Sequence, residues 1–274
     1  MKRKFRFSRD TIQRLKDFIC RRADEPAQEA PAPEKPGLAV HALTDVGKVR
    51  ATNQDTLVVD ESLHLYGVAD GMGGHNGGET ASAGARDHLI ELLQGQEPSL
   101  DALRTGITEA NAALFRQQAE DESLAGMGTT LSAIWMSGHF AYLGHVGDSR
   151  IYRMRNGKLE QMTDDHSLVA ELVRAGYLTP EQAENHPNKN VILRAVGTEP
   201  GIDIDLAVEE RQPGDLWLIC SDGLHGMVKD EQMEAILAAN TPAAAAKLLM
   251  EAALQAGGRD NISLVLLQDG EAAR

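Results

Sequence analysis

The sequence predicts an α+β fold, antiparallel sheets with helices laid on them, over residues 38–270 of a 274-residue chain. Three observations carry that expectation. Apolar runs of strand type recur along the chain with turn residues between them. Several of the connections are short enough to be hairpins, which only antiparallel strands can use. Helical stretches fall in two groups, 77–120 and 230–256, whereas a parallel βα fold needs a helix after each strand.

The elements follow in order. Residues 1–22 carry nine Lys and Arg against Asp10 and Asp17, a net +7, so the other 252 residues carry −21 of the total −14. "SRDTIQRLKDFICRR" spaces Ile12, Leu15 and Ile19 as a helix would, with Asp10 and Gln13 as a capping pair. It reads as a short basic amphipathic helix. "ADEPAQEAPAPEKPG", 23–37, is rich in Pro, Ala and Glu without a period, and reads as a stiff extended linker. From Leu38 the strand-type runs are "LAVHAL", "TLVV", "LHLYGVA", "TTLSAIWM", "HFAYLGHV", "RIYRM", "DLWLIC" and "ISLVLL". "ESLH" is expected to join the second to the third as a hairpin, "SGH" the fourth to the fifth, and "GDS" the fifth to the sixth. "RNGK" after the sixth holds the Asn-Gly pair of a tight turn. Residues 165–190 read as a polar helical insertion placed to cover a site, with a helix start at "TPEQ" (Thr179 as cap, Pro180 in the first turn).

Composition narrows the function. The acidic balance argues against nucleic-acid binding, which needs a basic surface to meet phosphates. Two cysteines, Cys20 and Cys220, supply neither a disulfide framework nor a zinc cluster, which fits a reducing cytoplasm. No run of about 18 apolar residues suggests a membrane span, and no apolar stretch of signal-peptide type follows the basic start.

The stretch "VADGMGGHNGGET", 68–80, invites a nucleotide-loop reading that its spacing refuses. The dinucleotide pattern begun at Gly71 and Gly73 meets Asn76 where a third glycine belongs. The triphosphate pattern fits from Gly73 to Gly78, but Glu79 stands where a lysine must reach phosphate. What remains is Asp70, set between an apolar strand and a turn. Asp148 in "HVGDSR", Asp222 in "LICSDG" and Asp260 in "GGRDN" share that grammar, and Asp55 follows in "RATNQD". One Asp at a strand end is ordinary turn chemistry. Four repetitions suggest an oxygen-ligand site for hard divalent ions such as Mg²⁺ or Mn²⁺.

"VRATNQD", "VADGMGGHNGGETAS", "GTT", "GHVGDSRIYRM", "LICSDGL" and "GGRDNISLVLL" together resemble, in order and spacing, the PP2C-like metal-dependent Ser/Thr protein phosphatases of bacterial type, over about residues 38–268. The resemblance implies a four-layer α-β-β-α sandwich of two antiparallel sheets flanked by helices. It implies Asp70 as a carboxylate bridging two Mn²⁺ or Mg²⁺ ions, the Gly71 carbonyl as a ligand of the second, and Asp222 and Asp260 as further ligands of the first. Asp148, with Asp222, matches a third and weaker metal site. Asp55, Asn53 and Asn261 fall where metal-held water is oriented, and Arg50 where the substrate phosphate is gripped. The implied reaction is direct attack on phosphorus by a water shared between the metals.

The chain departs from the eukaryotic branch of that family in two places. A Glu that helps hold the second metal there has no counterpart near Asn53. Met72 follows Asp-Gly where that branch has a His, and His75 lies further on, open either to act as acid to the leaving alkoxide or to shape the glycine loop. His41, His64, His145 and His166 read as structural. The sequence around Cys220 lacks the Cys-x5-Arg of thiol phosphatases, since Gly226 takes the Arg position. The resemblance implies phosphorylated protein substrates, an opposing bacterial Ser/Thr kinase and a cytoplasmic monomer; a non-catalytic binding protein on the same fold is the alternative. Residues 1–22, with Phe5, Phe7 and Phe18, are compatible with peripheral docking on anionic lipid or on a protein.

Overall fold

The structure, a computed structural model, describes residues 37–73 and 77–270. These lie within one compact unit, Pro36–Arg274. The basic helix expected at 1–22 and the linker at 23–37, save Gly37, lie outside the described residues, and so does His75.

The chain opens with β1 (Leu38–Asp45), β2 (Asp55–Asp60) and β3 (Leu65–Met72), followed by helices α1 (Gly77–Leu93) and α2 (Leu100–Glu120). Then come β4 (Gly128–Thr129), β5 (Leu131–Ser137), β6 (Phe140–Val146), β7 (Arg150–Arg155) and β8 (Lys158–Gln161). Short helices α3 (Leu168–Arg174) and α4 (Pro180–Glu184) precede β9 (Asp205–Glu210) and β10 (Leu216–Cys220). The remainder is α5 (Asp222–His225), α6 (Asp230–Ala239), α7 (Pro242–Gln255) and β11 (Ile262–Asp269). One sheet has the order β1-β11-β10-β7-β8 and the other β2-β3-β5-β6-β9, with β4 beside β3. Every pairing is antiparallel.

Three apolar layers explain why so many strands read as unbroken apolar runs. Side chains alternate across a strand, and here both faces of the central strands are covered. In β10, Trp217 and Ile219 join Tyr66, Val68, Ile134 and Val265 between the two sheets. Leu218 and Cys220 point the other way, into a layer with Met233, Leu237 and Leu249 of α6 and α7. Across the sandwich, Leu65 and Ala69 of β3 pack with Leu89 and Leu103 of α1 and α2. The result is helices, sheet, sheet, helices.

The hairpins expected at "ESLH", "SGH" and "RNGK" join paired strands. At the last, Asn156 and Gly157 both take positive φ, 54° and 77°, as a primed turn demands. The hairpin expected at "GDS" is corrected. β6 pairs with β5 and β9, while β7 pairs with β10 and β8, so this turn carries the chain from one sheet to the other. Local turn chemistry is the same in both cases, which is why the residues alone suggest a hairpin. Gly147 enters the crossing at φ +109°, and a Cβ there would stand 2.6 Å from Thr130 Cβ. β8 and β9 were not among the expected strands; both are edge strands, and "KLEQ" and "DLAVEE" carry charges that blunt an edge and hide the apolar pattern.

The insertion is closed by an antiparallel bridge between Ser167 and Ile192, two residues inside one expected limit and two beyond the other. Thr179 caps α4 in a reciprocal box with Gln182, and Pro180 sits in the first turn, as the sequence indicates. Beneath the insertion's stem, burial and the neighbouring His166 push His145 down to about 4. An exposed imidazole titrates near 6.5, so the unfolded chain takes up the proton first as the pH falls. Stability from this group is therefore present above about pH 6.5 and lost toward pH 4, by on the order of 3 kcal/mol. Urea midpoints measured from pH 7 to 4.5 are expected to fall less steeply for His145→Gln than for the parent chain; equal slopes would contradict this.

Candidate active site

The aspartates picked out by the strand-end pattern come to one place from both sheets. Asp55 opens β2 and stands opposite Asp70 in the β2–β3 register. Asp148 occupies the turn between sheets, Asp222 begins α5 directly after β10, and Asp260 lies just before β11. Each therefore sits where a strand ends, and the strands bring them together.

Their backbones are held tightly. Thr130 Oγ1 accepts the Asp70 N–H at 2.9 Å, while Thr129 Oγ1 and the Thr130 N–H donate to the Asp70 carbonyl at 3.0 and 2.9 Å. Gly71 has no room for a side chain: a Cβ would lie 2.0 Å from the Gly78 carbonyl oxygen and 2.6 Å from that of Gln54. A Cβ on Gly78 would in turn meet the Gly71 oxygen at 2.8 Å. The glycines thus allow the chain after Asp70 to fold against the start of α1. Gly223 plays the same part beside Asp222, since its Cβ would collide with the Asn261 carbonyl.

Asn261 fastens the loop that bears Arg50. Its Oδ1 accepts from Gln54 N at 2.9 Å, and its Nδ2 donates to the carbonyls of Val46 and Thr52 at 3.0 and 2.9 Å. That amide is occupied by backbone, so Asn261 serves the site by holding the loop. Asn53 donates to Thr44 Oγ1 at 2.7 Å and accepts from Asp55 N at 3.1 Å. Arg50 has a side chain 54 % exposed and donates from Nη2 to Asp260 Oδ2 at 2.8 Å. That hydrogen bond raises the guanidinium pKa, with the charges of Asp260, Asp222 and Asp70 adding to it. Its remaining donors leave a fork suited to phosphate.

The carboxylates are electrostatically costly. Burial first, then the charges of Asp148, Asp260 and Asp55, push Asp222 up to about 8. Burial and the charges of Asp55, Asp222 and Asp148 raise Asp70 well above the usual carboxylate range. Burial raises Asp55 to about 6 against hydrogen bonds from Ser221 and Ser263, and burial with the charge of Asp165 raises Asp148 to about 6. Hydrogen bonds relieve them only in part. Among the described residues four buried side-chain N or O atoms have no partner, and three are Asp55 Oδ1, Asp148 Oδ1 and Asp222 Oδ1. Buried, unpaired carboxylate oxygens that repel one another are a demand for positive charge.

An all-oxygen donor set of this kind fits Mg²⁺ or Mn²⁺. Among the described residues no group of three or more His, Cys, Asp or Glu side chains is itself arranged to hold a metal ion. Hard ions take carbonyl oxygens and waters as well as carboxylates. Among the described residues His225 lies buried beside Asp148, where its Nε2 donates to the Asp148 carbonyl at 2.9 Å, and burial and Arg150 push it down to about 3. Two contributors escaped the strand-end pattern. Ser221, whose Oγ donates to Asp55 Oδ2 at 2.8 Å, follows β10, and Thr130 lies between β4 and β5; both fall within the quoted "LICSDGL" and "GTT", but a small hydroxyl residue carries no local mark of the distant partner it serves.

The family description "Protein phosphatase 2C" matches residues 48–256. The chain is 40% identical over 228 residues to the serine/threonine protein phosphatase PstP of Mycobacterium tuberculosis, an alignment covering 82% of this chain and 44% of PstP. The matched stretch thus spans less than half the length of that relative. With the serine/threonine phosphatase stp of Listeria monocytogenes it shares 40% over 235 residues, 82% of this chain and 93% of the relative. The crystal structure of M. tuberculosis PstP superposes with a TM-score of 0.80 at 39% identity, covering 85% of this chain and 99% of that one. A PstP catalytic domain in complex with two manganese ions superposes at 0.78 with 38% identity and the same coverage. The family match over most of the chain, the 40% identity to a relative covered almost whole and the shared fold agree, and the chain belongs to the protein phosphatase 2C family.

Proposed function

We propose that this chain is a metal-dependent protein phosphatase that removes phosphate from phosphoserine and phosphothreonine in proteins. The observation that carries the proposal is the set of buried, partnerless oxygens on Asp55, Asp148 and Asp222, in a frame shared with relatives named as Ser/Thr phosphatases. Asp70, the Gly71 carbonyl, Asp222 and Asp260 would hold two Mn²⁺ or Mg²⁺ ions, and Asp148 with Asp222 a third. When bound, the ions supply Lewis acidity and an activated water for in-line attack on phosphorus. The chain's own residues do the rest. Arg50 grips the phosphoryl oxygens while Asp260 fixes its position. Asp55 keeps one oxygen on Ser221 and turns the other inward, where it accepts a hydrogen bond from attacking water. His75 is retained as the acid to the leaving alkoxide.

The proposal extends to context. Phosphorylated proteins are the substrates, a Ser/Thr kinase supplies them, and residues 1–22 serve as a docking segment for an anionic lipid surface or a partner protein. Among the described residues no helix is long and apolar enough to cross a membrane.

Two outcomes are expected. Hydrolysis of p-nitrophenyl phosphate requires added Mn²⁺ or Mg²⁺ and drops by about 100-fold or more in Asp222→Asn, the loss expected for several kcal/mol of metal assistance. No activity in the parent, with folded protein and no metal uptake, would establish the non-catalytic alternative. Exchanging residues 168–190 for those of a relative, with the stem at 165–167 kept, is expected to change phosphopeptide preference more than turnover of the aryl phosphate. Equal effects on both would place selectivity elsewhere.

A further inference from the structure

The turn that crosses between the sheets carries Asp148, and it is locked from several sides. Arg150 makes a two-pronged pair with Asp165, Nε to Oδ1 at 2.8 Å and Nη2 to Oδ2 at 2.7 Å. Ser149 Oγ meets Thr130 Oγ1 at 2.8 Å, and Thr130 Oγ1 is the acceptor for the Asp70 N–H. Ser132 Oγ donates to the Ser149 carbonyl at 3.0 Å. His225 Nε2 donates to the Asp148 carbonyl at 2.9 Å, and the side that faces the insertion belongs to His166. His166 donates its own N–H to the Gly147 carbonyl at 2.8 Å, and its Nδ1 accepts the Gly147 N–H at 3.1 Å.

That second bond fixes the imidazole's tautomer. A ring nitrogen that accepts carries no proton, so the proton of the neutral ring is on Nε2. Nε2–H then donates to Asp205 Oδ2 at 3.2 Å. Arg194 Nη1, 3.3 Å from the same nitrogen, finds its acceptor in Asp205 Oδ1 at 3.2 Å. The His166 carbonyl, finally, accepts from Leu193 N at 2.7 Å, and Ser167 bridges to Ile192. His166 is buried at the point where both ends of the insertion meet the Asp148 turn and β9.

We propose that His166 is a positioning residue that ties the Asp148 turn to the stem of the 167–192 insertion, so that metal held at Asp148 and the seating of the insertion are coupled. Gly147 sits at φ +109°, a conformation that leaves the next residue's direction dependent on what grips the glycine on each side. His166 grips both its N–H and its C=O. Through Ser149 and Thr130 the same lock reaches the backbone of Asp70, two hydrogen bonds away. Outer partners of this kind aim the ligands of a metal site, and losing one costs about 10- to 100-fold in metal affinity.

This rests on the metal-dependent reading above, and the test separates the two. MnCl₂ is titrated calorimetrically into the full chain, with near-ultraviolet circular dichroism as the check on folding. Asn places its amide oxygen where His Nδ1 accepts from Gly147, whereas Gln places its amide nitrogen where Nε2–H donates to Asp205. His166→Ala and His166→Gln are expected to weaken the weakest Mn²⁺ site by about tenfold, and His166→Asn to restore it to within about threefold. A gain or loss of phosphopeptide over aryl phosphate preference should accompany the weakened site. The inference is overturned if all variants bind Mn²⁺ as the parent does, if Gln restores binding as well as Asn, or if none of the three folds, since the role is then structural alone. A folded parent that takes up no Mn²⁺ overturns the functional reading itself, and the inference with it.

Discussion

Five aspartates gathered at strand ends repel one another, and most of the local architecture can be understood as the means of holding them there. Asp55, Asp70, Asp148 and Asp222 are each raised by burial, and their mutual charges add to the shift in most of them. A fold left to itself would neutralise such a group or turn it outward to water. Here three of their oxygens stay buried without a partner. Positive charge from Arg50 answers only part of the demand, because its side chain is half exposed and committed to Asp260. A pair of divalent ions would answer it directly, which is why metal binding and the folding of this region are expected to be linked.

The restraint comes from two sheets rather than one. Asp55 and Asp70 belong to the sheet covered by α1 and α2, Asp222 and Asp260 to the ends of β10 and β11 in the other. Trp217, Ile219, Val265 and Val68 join the sheets through their inner faces, so the apolar layer sets the distance at which the carboxylates meet. Small polar residues make the finer adjustment. Ser221 reaches from one sheet to Asp55 in the other at 2.8 Å, and Asn261 ties the start of β11 to the Arg50 loop. Gly71, Gly78 and Gly223 matter because a Cβ at any of them would enter the backbone that frames the site.

Much of this was legible in the residues. The eight apolar runs became strands, the Asn-Gly turn took its positive φ pair, and the Thr179 box formed, because each depends on neighbours in sequence. The strand-end aspartates were found by repetition of one pattern. What stayed hidden depends on partners far along the chain. "GDS" reads as a hairpin from within, and only the pairing of β6 with β9 and of β7 with β10 makes it a crossing. β9 was masked by its acidic edge. His166 reads as a structural histidine because its significance lies in Gly147, nineteen residues earlier in the chain.

The central claim is that the carboxylate cluster is built at an electrostatic cost that divalent ions relieve. Calorimetric titration of Mn²⁺ at pH 7, in buffers of different ionisation enthalpy, counts the protons released as metal binds. With Asp222 near 8 and Asp70 raised as well, at least about one proton should leave per molecule at pH 7, and the share released by Asp222 should fade by pH 9. Binding heats that are independent of the buffer would mean that the carboxylates are already ionised and at ease, and would contradict the account.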